Sequence, residues 1–297
     1  MTTRDPQVWF ITGSSRGLGR ALTVAVLAAG HRVVATARTP SALDDLVQTH
    51  GHRIRAVPLD VTHPQQATRA VAQAVDAFGR IDVLVNNAGY ANVAAAEDMP
   101  LDDFRAQVDT NFYGVVHVTR SVLPVMREQR GGRILQISSI GGRRGGTPGL
   151  SAYQAAKFAV AGFSEAVRNE VAPLGIQVTI VEPSGFATDV AGSSMKVYPV
   201  QPEYQATVGP TEGRLRAAAV RGDPAKAARV LVELASMEKQ PRRLLLGSAA
   251  YVMARATLQE LGASDDAHRV LSASTDADGQ PDFADTDLGK QMLQLHR

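Results

Sequence analysis

The chain has 297 residues, of which 44% are hydrophobic and 20% charged, with a formal net charge of +2 and no cysteine. This composition is ordinary for a globular protein of one α/β domain or two smaller ones. A nearly neutral chain with scattered arginines disfavours nucleic acid as a partner, and the lack of cysteine excludes disulfides, thiolate metal sites and a cysteine nucleophile. The seven histidines form no metal-ligand pattern, so no metal site is predicted. The N-terminus lacks a signal-peptide pattern and the apolar runs are too short to span a bilayer, which predicts a cytoplasmic protein with no membrane partner.

Short apolar runs rich in β-branched residues alternate with helix-length segments along most of the chain. Because these runs are continuously apolar, they predict the strands of a parallel sheet covered by helices on both faces, a doubly wound α/β domain. No linker interrupts the series, so one domain is expected. The predicted strands are 8–12, 32–37, 54–59, 81–86, 133–138, 176–181 and 243–247.

The segment "TGSSRGLG" (12–19) joins the first predicted strand to the first predicted helix. Glycines let a turn approach a ligand closely, and a helix N-terminus offers free N–H groups to a pyrophosphate. In this position the loop favours dinucleotide binding over a plain flexible turn, although methyltransferases also carry a glycine-rich loop after a first strand. The cofactor contacts predicted here are Gly13, Ser15, Arg16, Gly17, Leu18 and Gly19.

The second predicted strand bears on the choice of cofactor. An NAD site usually has an acidic residue about 20 positions after the loop, bound to the ribose 2′-hydroxyl. No Asp or Glu occurs between Arg20 and Leu43, and Arg38 stands at the expected place. Together with Arg16, its guanidinium suits a 2′-phosphate, which arginine can bind bidentately. The alternative is two ordinary surface arginines. The sequence favours NADP(H) over NAD.

The segment "YQAAK" (153–157) places a tyrosine and a lysine four residues apart, on one face of a predicted helix. The chain has 5 Lys and 26 Arg, and Lys157 is the first lysine in it. A compact ammonium differs chemically from a guanidinium fork, which points to a specific use of lysine here. The ordinary alternative is a snorkelling lysine beside a core tyrosine.

Two further motifs end successive predicted strands: "NNAG" (86–89) the fourth and "ISS" (137–139) the fifth. With "TGSSRGLG" and "YQAAK" in this order, the chain resembles the short-chain dehydrogenase/reductase superfamily, in its one-domain branch, from about residue 8 to 247. The resemblance implies a single Rossmann-type domain (1–262) that transfers hydride between NADP(H) and a small-molecule carbonyl or alcohol substrate, in a homodimer or homotetramer. It also implies that 185–222 covers the substrate. The small, acidic stretch 263–297 is expected to be a mobile or partner-docked tail.

The resemblance implies a catalytic set. Tyr153 would be the general acid or base, Lys157 its partner, Ser139 a hydrogen-bond donor to the substrate oxygen, and Asn111 a holder of water near Lys157. A neighbouring ammonium and an oxidised nicotinamide would lower the pKa of the tyrosine. Cofactor contacts are further expected from Asp60, Val61, Asn87, Ala88, Gly89, Tyr153, Lys157, Pro183, Gly185 and Thr188.

Some details depart from the family pattern or have plainer readings. Ser139 lies 14 residues before Tyr153, one more than in most members, and Ser184 replaces a common glycine. Ser151 and Gln154 fit a capping box, which predicts a helix cap at Ser151. Asp60 could instead cap a helix.

The alternative function is a non-catalytic NADP-binding sensor on the same fold, which would have no need of the tyrosine and lysine. A methyltransferase would give no reason for them either.

Overall fold

The computed structural model describes residues 6–186, 195–219 and 222–294. Its strands form one parallel sheet in the order β3-β2-β1-β4-β5-β6-β7. Every strand lies within two residues of its predicted bounds, so the predicted doubly wound fold is confirmed. The strands are β1 (Val8–Ile11), β2 (Arg32–Ala37), β3 (Ile54–Pro58), β4 (Val83–Asn86), β5 (Gly132–Ile137), β6 (Ile176–Pro183) and β7 (Arg243–Leu246).

Helices connect the strands and cover both faces of the sheet. Those of the first unit are α1 (Gly17–Ala28), α2 (Asp44–His50), α3 (Pro64–Phe78), α4 (Leu101–Val108), α5 (Gly114–Gln129), α6 (Ser151–Val171), α7 (Thr211–Ala219) and α8 (Pro224–Ser236). A π-helical turn, Asp109–Tyr113, joins α4 to α5. Helices α9 (Ser248–Ala267), α10 (Arg269–Ala273) and α11 (Asp287–Gln294) follow β7.

The continuous apolar strands reflect burial on both sides. In β1, Trp9 and Ile11 pack in a core cluster with α1, α2 and α8, whereas Phe10 packs in a second cluster with α3, α5 and α6. All three side chains are fully buried. Burying one side chain of this size contributes about 1.5–3 kcal/mol, so a central strand gains on each face.

The strand order places the site. β1 pairs with β2 on one side and with β4 on the other, so the order reverses direction between β1 and β4. In open parallel sheets, ligands bind outside the carboxyl ends of the strands at this switch point. The predicted glycine-rich loop follows β1 and the "NNAG" segment ends β4, so the topology brings the two together.

The chain divides into two compact units, Met1–Tyr251 and Val252–Arg297. The second begins earlier than the predicted tail at 263, and its described residues include most of α9 together with α10 and α11. It exposes large apolar side chains, including Val270 and Leu271. That this segment is mobile or bound by a partner stays a prediction. Within the described ranges, no helix has the length and apolarity that a bilayer crossing needs.

Candidate active site

The loop after β1 requires glycine at two positions. Gly13 has a φ of +68°, in the left-handed region that favours glycine. Gly19, in the first turn of α1, lies so close to the loop that a β-carbon there would be 2.2 Å from the carbonyl oxygen of Gly13. The start of α1 therefore packs directly onto the loop, and its N–H groups face the switch point where an anion can bind.

Asn87 holds this loop against the end of β4. Its amide nitrogen Nδ2 donates to the carbonyl oxygens of Thr12 (2.9 Å) and Gly13 (3.2 Å). In return, the hydroxyl of Thr12 accepts hydrogen bonds from the backbone N–H groups of Asn87 (2.9 Å) and Ala88 (3.0 Å). The sequence indicated a cofactor contact at Asn87 but not its hydrogen bonds to the loop. The Thr12–Asn87 exchange is a finding that sequence reasoning missed.

The two arginines predicted to select the cofactor are both exposed. Arg16 immediately precedes α1 and Arg38 immediately follows β2. Both therefore lie at the carboxyl edge of the sheet, beyond the ends of the paired strands β1 and β2. Among the other predicted loop contacts, Ser15 is half-buried and Leu18 packs partly buried against the core.

Asp60 forms a local turn after β3. Its Oδ1 accepts from the N–H (3.0 Å) and the hydroxyl (2.7 Å) of Thr62. Burial acts to raise the pKa of this carboxyl, but the two bonds from Thr62 and the charges of His63 and Arg38 hold it below its usual range. Helix α3 begins only at Pro64, with no side-chain cap, so the reading of Asp60 as a helix cap is wrong.

Lys157 points into the protein. It is only 4% exposed, and its Nζ donates to the carbonyl oxygen of Ile137 at the end of β5, at 2.7 Å. A snorkelling lysine would hold its ammonium in water, so that alternative does not fit. Burial lowers the pKa of Lys157 to about 8.

Tyr153 lies one helical turn before Lys157, half-buried and hydrogen-bonded to Ser139. Burial raises its pKa above the ordinary value, and the Ser139 bond acts in the opposite direction. The expected lowering of this pKa by Lys157 is not seen, because the ammonium lies 5.9 Å from the ring centroid and is directed to Ile137. The tyrosine, serine and lysine are nevertheless together at the carboxyl end of β5.

The turn after β5 is packed tightly on α6. Ser139 Oγ accepts from the N–H of Gly141 at 3.0 Å, while Ser138 Oγ donates to the carbonyl oxygen of Lys157 at 3.1 Å. A β-carbon on Gly142 would lie 2.6 Å from that same carbonyl oxygen. The extra residue between Ser139 and Tyr153 therefore leaves the serine in contact with the tyrosine.

The capping box predicted at Ser151 is wrong. Helix α6 starts at Ser151 itself, preceded by Leu150 without a side-chain cap, and Ser151 Oγ makes no hydrogen bond. Gln154 instead accepts from the N–H of Thr147 (3.2 Å) and donates to the carbonyl oxygen of Arg144 (3.3 Å). The glutamine ties the loop 141–150 to the helix.

Asn111 lies in the π-helical turn, fully buried. Its Nδ2 donates to the carbonyl oxygen of Tyr90 (2.8 Å) and its Oδ1 accepts from the Tyr90 N–H (3.0 Å). A β-carbon on Gly89 would lie 3.0 Å from that Oδ1 and 3.6 Å from Lys157 Nζ. Gly89 thus lets the asparagine and the lysine approach each other, and π-turns of this kind are frequent at functional sites.

The remaining predicted contacts lie around the same edge. Val61 is buried, and its backbone carbonyl oxygen lies 2.9 Å from His117 Nδ1. Pro183 ends β6 and Gly185 is half-buried. Between them, Ser184 donates from both its N–H and its hydroxyl to the carbonyl oxygen of Leu246. Thr188 lies outside the described residues.

The described part of the covering segment packs beside Tyr153. Met195 and Val208 form an apolar cluster with Val93 and Leu150, and Tyr153 packs against this cluster. Polar contacts hold the segment down: Lys196 and Tyr198 both donate to Asp103 in α4. Burial, with the hydrogen bond to Asp103, raises the pKa of Tyr198 to about 12. Among the described residues, no group of three or more His, Asp or Glu could hold a metal ion.

Comparison with known proteins agrees with this geometry. A family profile described as short chain dehydrogenase matches residues 7–198. Oxidoreductase BOA17 of Botryotinia fuckeliana is 49% identical over 272 residues, which cover 91% of this chain and 99% of the relative. A short-chain dehydrogenase from Streptomyces avermitilis superposes with a TM-score of 0.86 at 39% identity, covering 93% of this chain and 100% of that one.

A more distant structure carries a cofactor. The 3-ketoacyl-(acyl-carrier-protein) reductase of Brucella melitensis, solved with NADH, superposes with a TM-score of 0.69 at 25% identity, covering 81% of this chain and 96% of that one. The chain belongs to the short-chain dehydrogenase/reductase superfamily of nicotinamide-dependent oxidoreductases, as its motifs predicted.

Proposed function

We propose that this protein is an NADP(H)-dependent oxidoreductase that interconverts a carbonyl compound and its alcohol. The observation that carries the proposal is the cluster of Ser139, Tyr153 and Lys157 at the carboxyl end of β5, beside the glycine-rich loop. A non-catalytic sensor would need the loop but not a buried lysine, whose desolvation is costly unless it has a use.

The loop fits a dinucleotide. Its backbone is held open by Gly13 and Gly19, and Asn87 fixes it to β4, which leaves the N–H groups at the start of α1 directed outward. These groups would bind the pyrophosphate. The bound cofactor would supply or accept a hydride at its nicotinamide ring.

Tyr153 would exchange the proton. In the reduction it donates its phenolic proton to the carbonyl oxygen, and in the oxidation it takes the proton of the alcohol. Ser139, already bonded to the tyrosine, would donate to the same substrate oxygen and so hold it within reach. The raised pKa of Tyr153 favours the protonated form, which suits the donor role in reduction.

Lys157 and Asn111 would support the tyrosine. With Nζ bonded to Ile137 and 5.9 Å from the centroid of the Tyr153 ring, the lysine keeps further N–H donors that would serve the ribose of the cofactor. Asn111 keeps spare donor and acceptor capacity beyond its two bonds to Tyr90, enough to hold a water beside Gly89.

The cofactor preference rests on charge. A 2′-phosphate needs cations at the ribose, and Arg16 and Arg38 are exposed there without an acidic residue on β2 to repel it. The charge of Arg38 acts on Asp60, and that carboxylate already accepts two hydrogen bonds from Thr62. Arg38 therefore retains donors for a phosphate.

The apolar cluster beside Tyr153 supports a partly apolar carbonyl substrate of medium size.

The exposed aromatic residues Tyr113 on the π-turn and Phe158 on α6 support association of two or four copies through α4, α5 and α6. Light scattering at micromolar concentration that gave a monomer mass would refute the assembly.

The function is tested by mixing the purified protein with NADPH and a panel of apolar and polar ketones, following the loss of reduced cofactor. We expect turnover of at least one ketone, with NADH a poorer donor. Tight NADPH binding by calorimetry with no turnover of any ketone or alcohol would favour the sensor instead.

A further inference from the structure

Glu182 in β6 is a fully buried carboxylate that the chemistry above does not use. Two arginines neutralise it. Arg143 Nη2 lies 2.8 Å from Oε2, and Arg243 Nη1 donates to Oε1 at 2.7 Å. Neither Arg143 Nε nor Glu182 Oε2 has a hydrogen bond of good geometry, so the Arg143 contact is an ion pair held mainly by charge. Burying a charged carboxylate is costly in free energy unless oppositely charged groups of the protein pair with it.

The ion pairs continue across the sheet to α6. Arg243 in β7 also donates from Nε to Glu165 Oε1, at 2.9 Å. Glu165 lies in α6, three turns after Tyr153, and accepts from the exposed Arg242 as well. Charges of alternating sign therefore connect α6, β7 and β6 to Arg143.

Arg143 ends the turn that carries Ser139. The Gly142 N–H donates to the carbonyl oxygen of Ser139 (2.9 Å), and the Arg143 N–H donates to that of Ile140 (3.1 Å). The turn 139–143 is short and held by its own hydrogen bonds, so a displacement of Arg143 also displaces Ser139. One side of the turn is packed on α6 at Gly142, and the Arg143 side chain holds the other side to β6.

We propose that Arg143 and Glu182 are positioning residues, which hold the Ser139 turn so that the serine hydroxyl stays bonded to Tyr153. The proposal rests on the proposed catalytic roles of Ser139 and Tyr153. Replacement by apolar residues would often stabilise a fold equally well, because a buried ion pair gains little over its desolvation. The ion pair between Arg143 and Glu182 instead requires the arginine to point at the carboxylate, which fixes the orientation of the turn.

The test compares Arg143→Met with Arg242→Met in the full-length chain. Arg143→Met frees the turn, while Glu182 keeps Arg243 as its partner, so no buried carboxylate is left alone. Arg242→Met removes an arginine–carboxylate contact from the outer end of the same network and leaves the turn untouched. Arg143→Lys keeps the charge with a shorter reach and should recover part of the loss.

We expect Arg143→Met to lower kcat about tenfold to a hundredfold at an unchanged Kd for NADPH, the scale of a small misplacement in a catalytic site. In alcohol oxidation Tyr153 must lose its proton, and the Ser139 bond lowers its pKa. Lys157 is the charged group that faces the ring, and it is unchanged in the variant. The rising limb of the pH profile should therefore move to higher pH in Arg143→Met, and not in Arg242→Met.

Two results would overturn the proposal. One is a rising limb of the pH profile that lies at the same pH in Arg143→Met as in the wild type. The other is a fall in kcat that accompanies a lower melting temperature to the same extent in both variants. If Arg143→Met does not fold, Arg143→Lys carries the same comparison. If the wild type turns over no substrate, the proposed function fails separately, and hydrogen exchange of the peptide 139–147 decides this proposal. Faster exchange in the Arg143 variant but not in Arg242→Met would support the turn anchor, and equal exchange would refute it.

Discussion

The ammonium of Lys157 donates to the carbonyl oxygen of Ile137 at 2.7 Å, so the middle of α6 is fixed to the end of β5. The bond holds a cation at the edge of the sheet where Tyr153 and Ser139 meet. It also gives a donor to the carbonyl oxygen of Ile137, the last residue of β5. The Nζ atom of Lys157 therefore both holds α6 to β5 and places a positive charge near Tyr153.

The burial of Lys157 predicts a pH-dependent stability. Its pKa is about 8 in the folded chain against an ordinary 10.5. Between these values the unfolded chain binds a proton that the folded chain does not, so the free energy of unfolding rises with pH across this window. The cost of burying the charge is complete below about pH 8 and disappears above about pH 10.5.

Lys157→Met removes this titration. The free energy of unfolding of the wild type minus that of the variant should increase by about 2–3 kcal/mol from about pH 7 to about pH 10. Other groups titrate alike in the two proteins and cancel in the difference. Urea unfolding at both pH values measures it, and a difference independent of pH would mean that Lys157 keeps its ordinary pKa.

Gly19→Ala should disrupt the cofactor loop. The new β-carbon would lie 2.2 Å from the carbonyl oxygen of Gly13, a backbone atom that cannot rotate away. We expect a loss of about 1–3 kcal/mol in stability, as in overpacked cores, and weaker NADPH binding because the loop must move. Calorimetric binding and thermal melts measure both effects.

Gly162→Ala is the matched control. Gly162 lies on the exposed side of α6, and a β-carbon there would meet no atom within 4 Å. Alanine is favoured over glycine in a helix by up to about 1 kcal/mol, so this variant should be as stable as the wild type or more so. Equal behaviour of the two variants would show that the loop tolerates a side chain at position 19.

The fold was predictable because its signal is local. β1 is buried on both faces, so the continuous apolar run 8–12 marks it as a strand without knowledge of its neighbours. The cofactor loop and the Tyr153–Lys157 spacing are local as well. Residues four apart on a helix share a face wherever the helix lies.

What the sequence did not predict depends on long-range contacts. The side chain of Asn87 bonds a loop 74 and 75 residues earlier, and Arg143, at the end of the turn after β5, pairs with Glu182 in β6. The direction of the Lys157 ammonium toward Ile137 also requires the packing of α6 on β5. The cap at Ser151 was wrongly predicted because a capping box and a helix that starts one residue earlier look alike in sequence.

Arg38→Asp should change the cofactor preference. The wild type is expected to bind NADPH more tightly than NADH, because an arginine–phosphate contact contributes about 1.5–3 kcal/mol, or roughly tenfold to a hundredfold in affinity. Aspartate would repel the 2′-phosphate and accept from the 2′-hydroxyl of NADH. Arg16 remains, so the reversal should be incomplete.

The control for charge is Arg32→Asp. Arg32 is exposed at the amino end of the same strand, so the substitution changes the net charge equally but far from the carboxyl edge. Kd values for both cofactors at one ionic strength should be unchanged in this variant. A wild type that binds both cofactors equally, or NADH better, would make Arg16 and Arg38 ordinary surface residues.

The central claim is that Tyr153 exchanges a proton with a substrate to which a nicotinamide gives its hydride. Tyr153→Phe keeps the ring in its apolar cluster and removes only the hydroxyl. The most direct measurement incubates wild type and variant with a ketone and NADPH in which both C4 hydrogens are replaced by deuterium, and determines deuterium at the carbinol carbon by mass spectrometry. We expect one deuterium per alcohol formed by the wild type, and no product from a variant that still binds NADPH with the same Kd. Alcohol formation by Tyr153→Phe at the wild-type rate, or product without deuterium, would contradict the account.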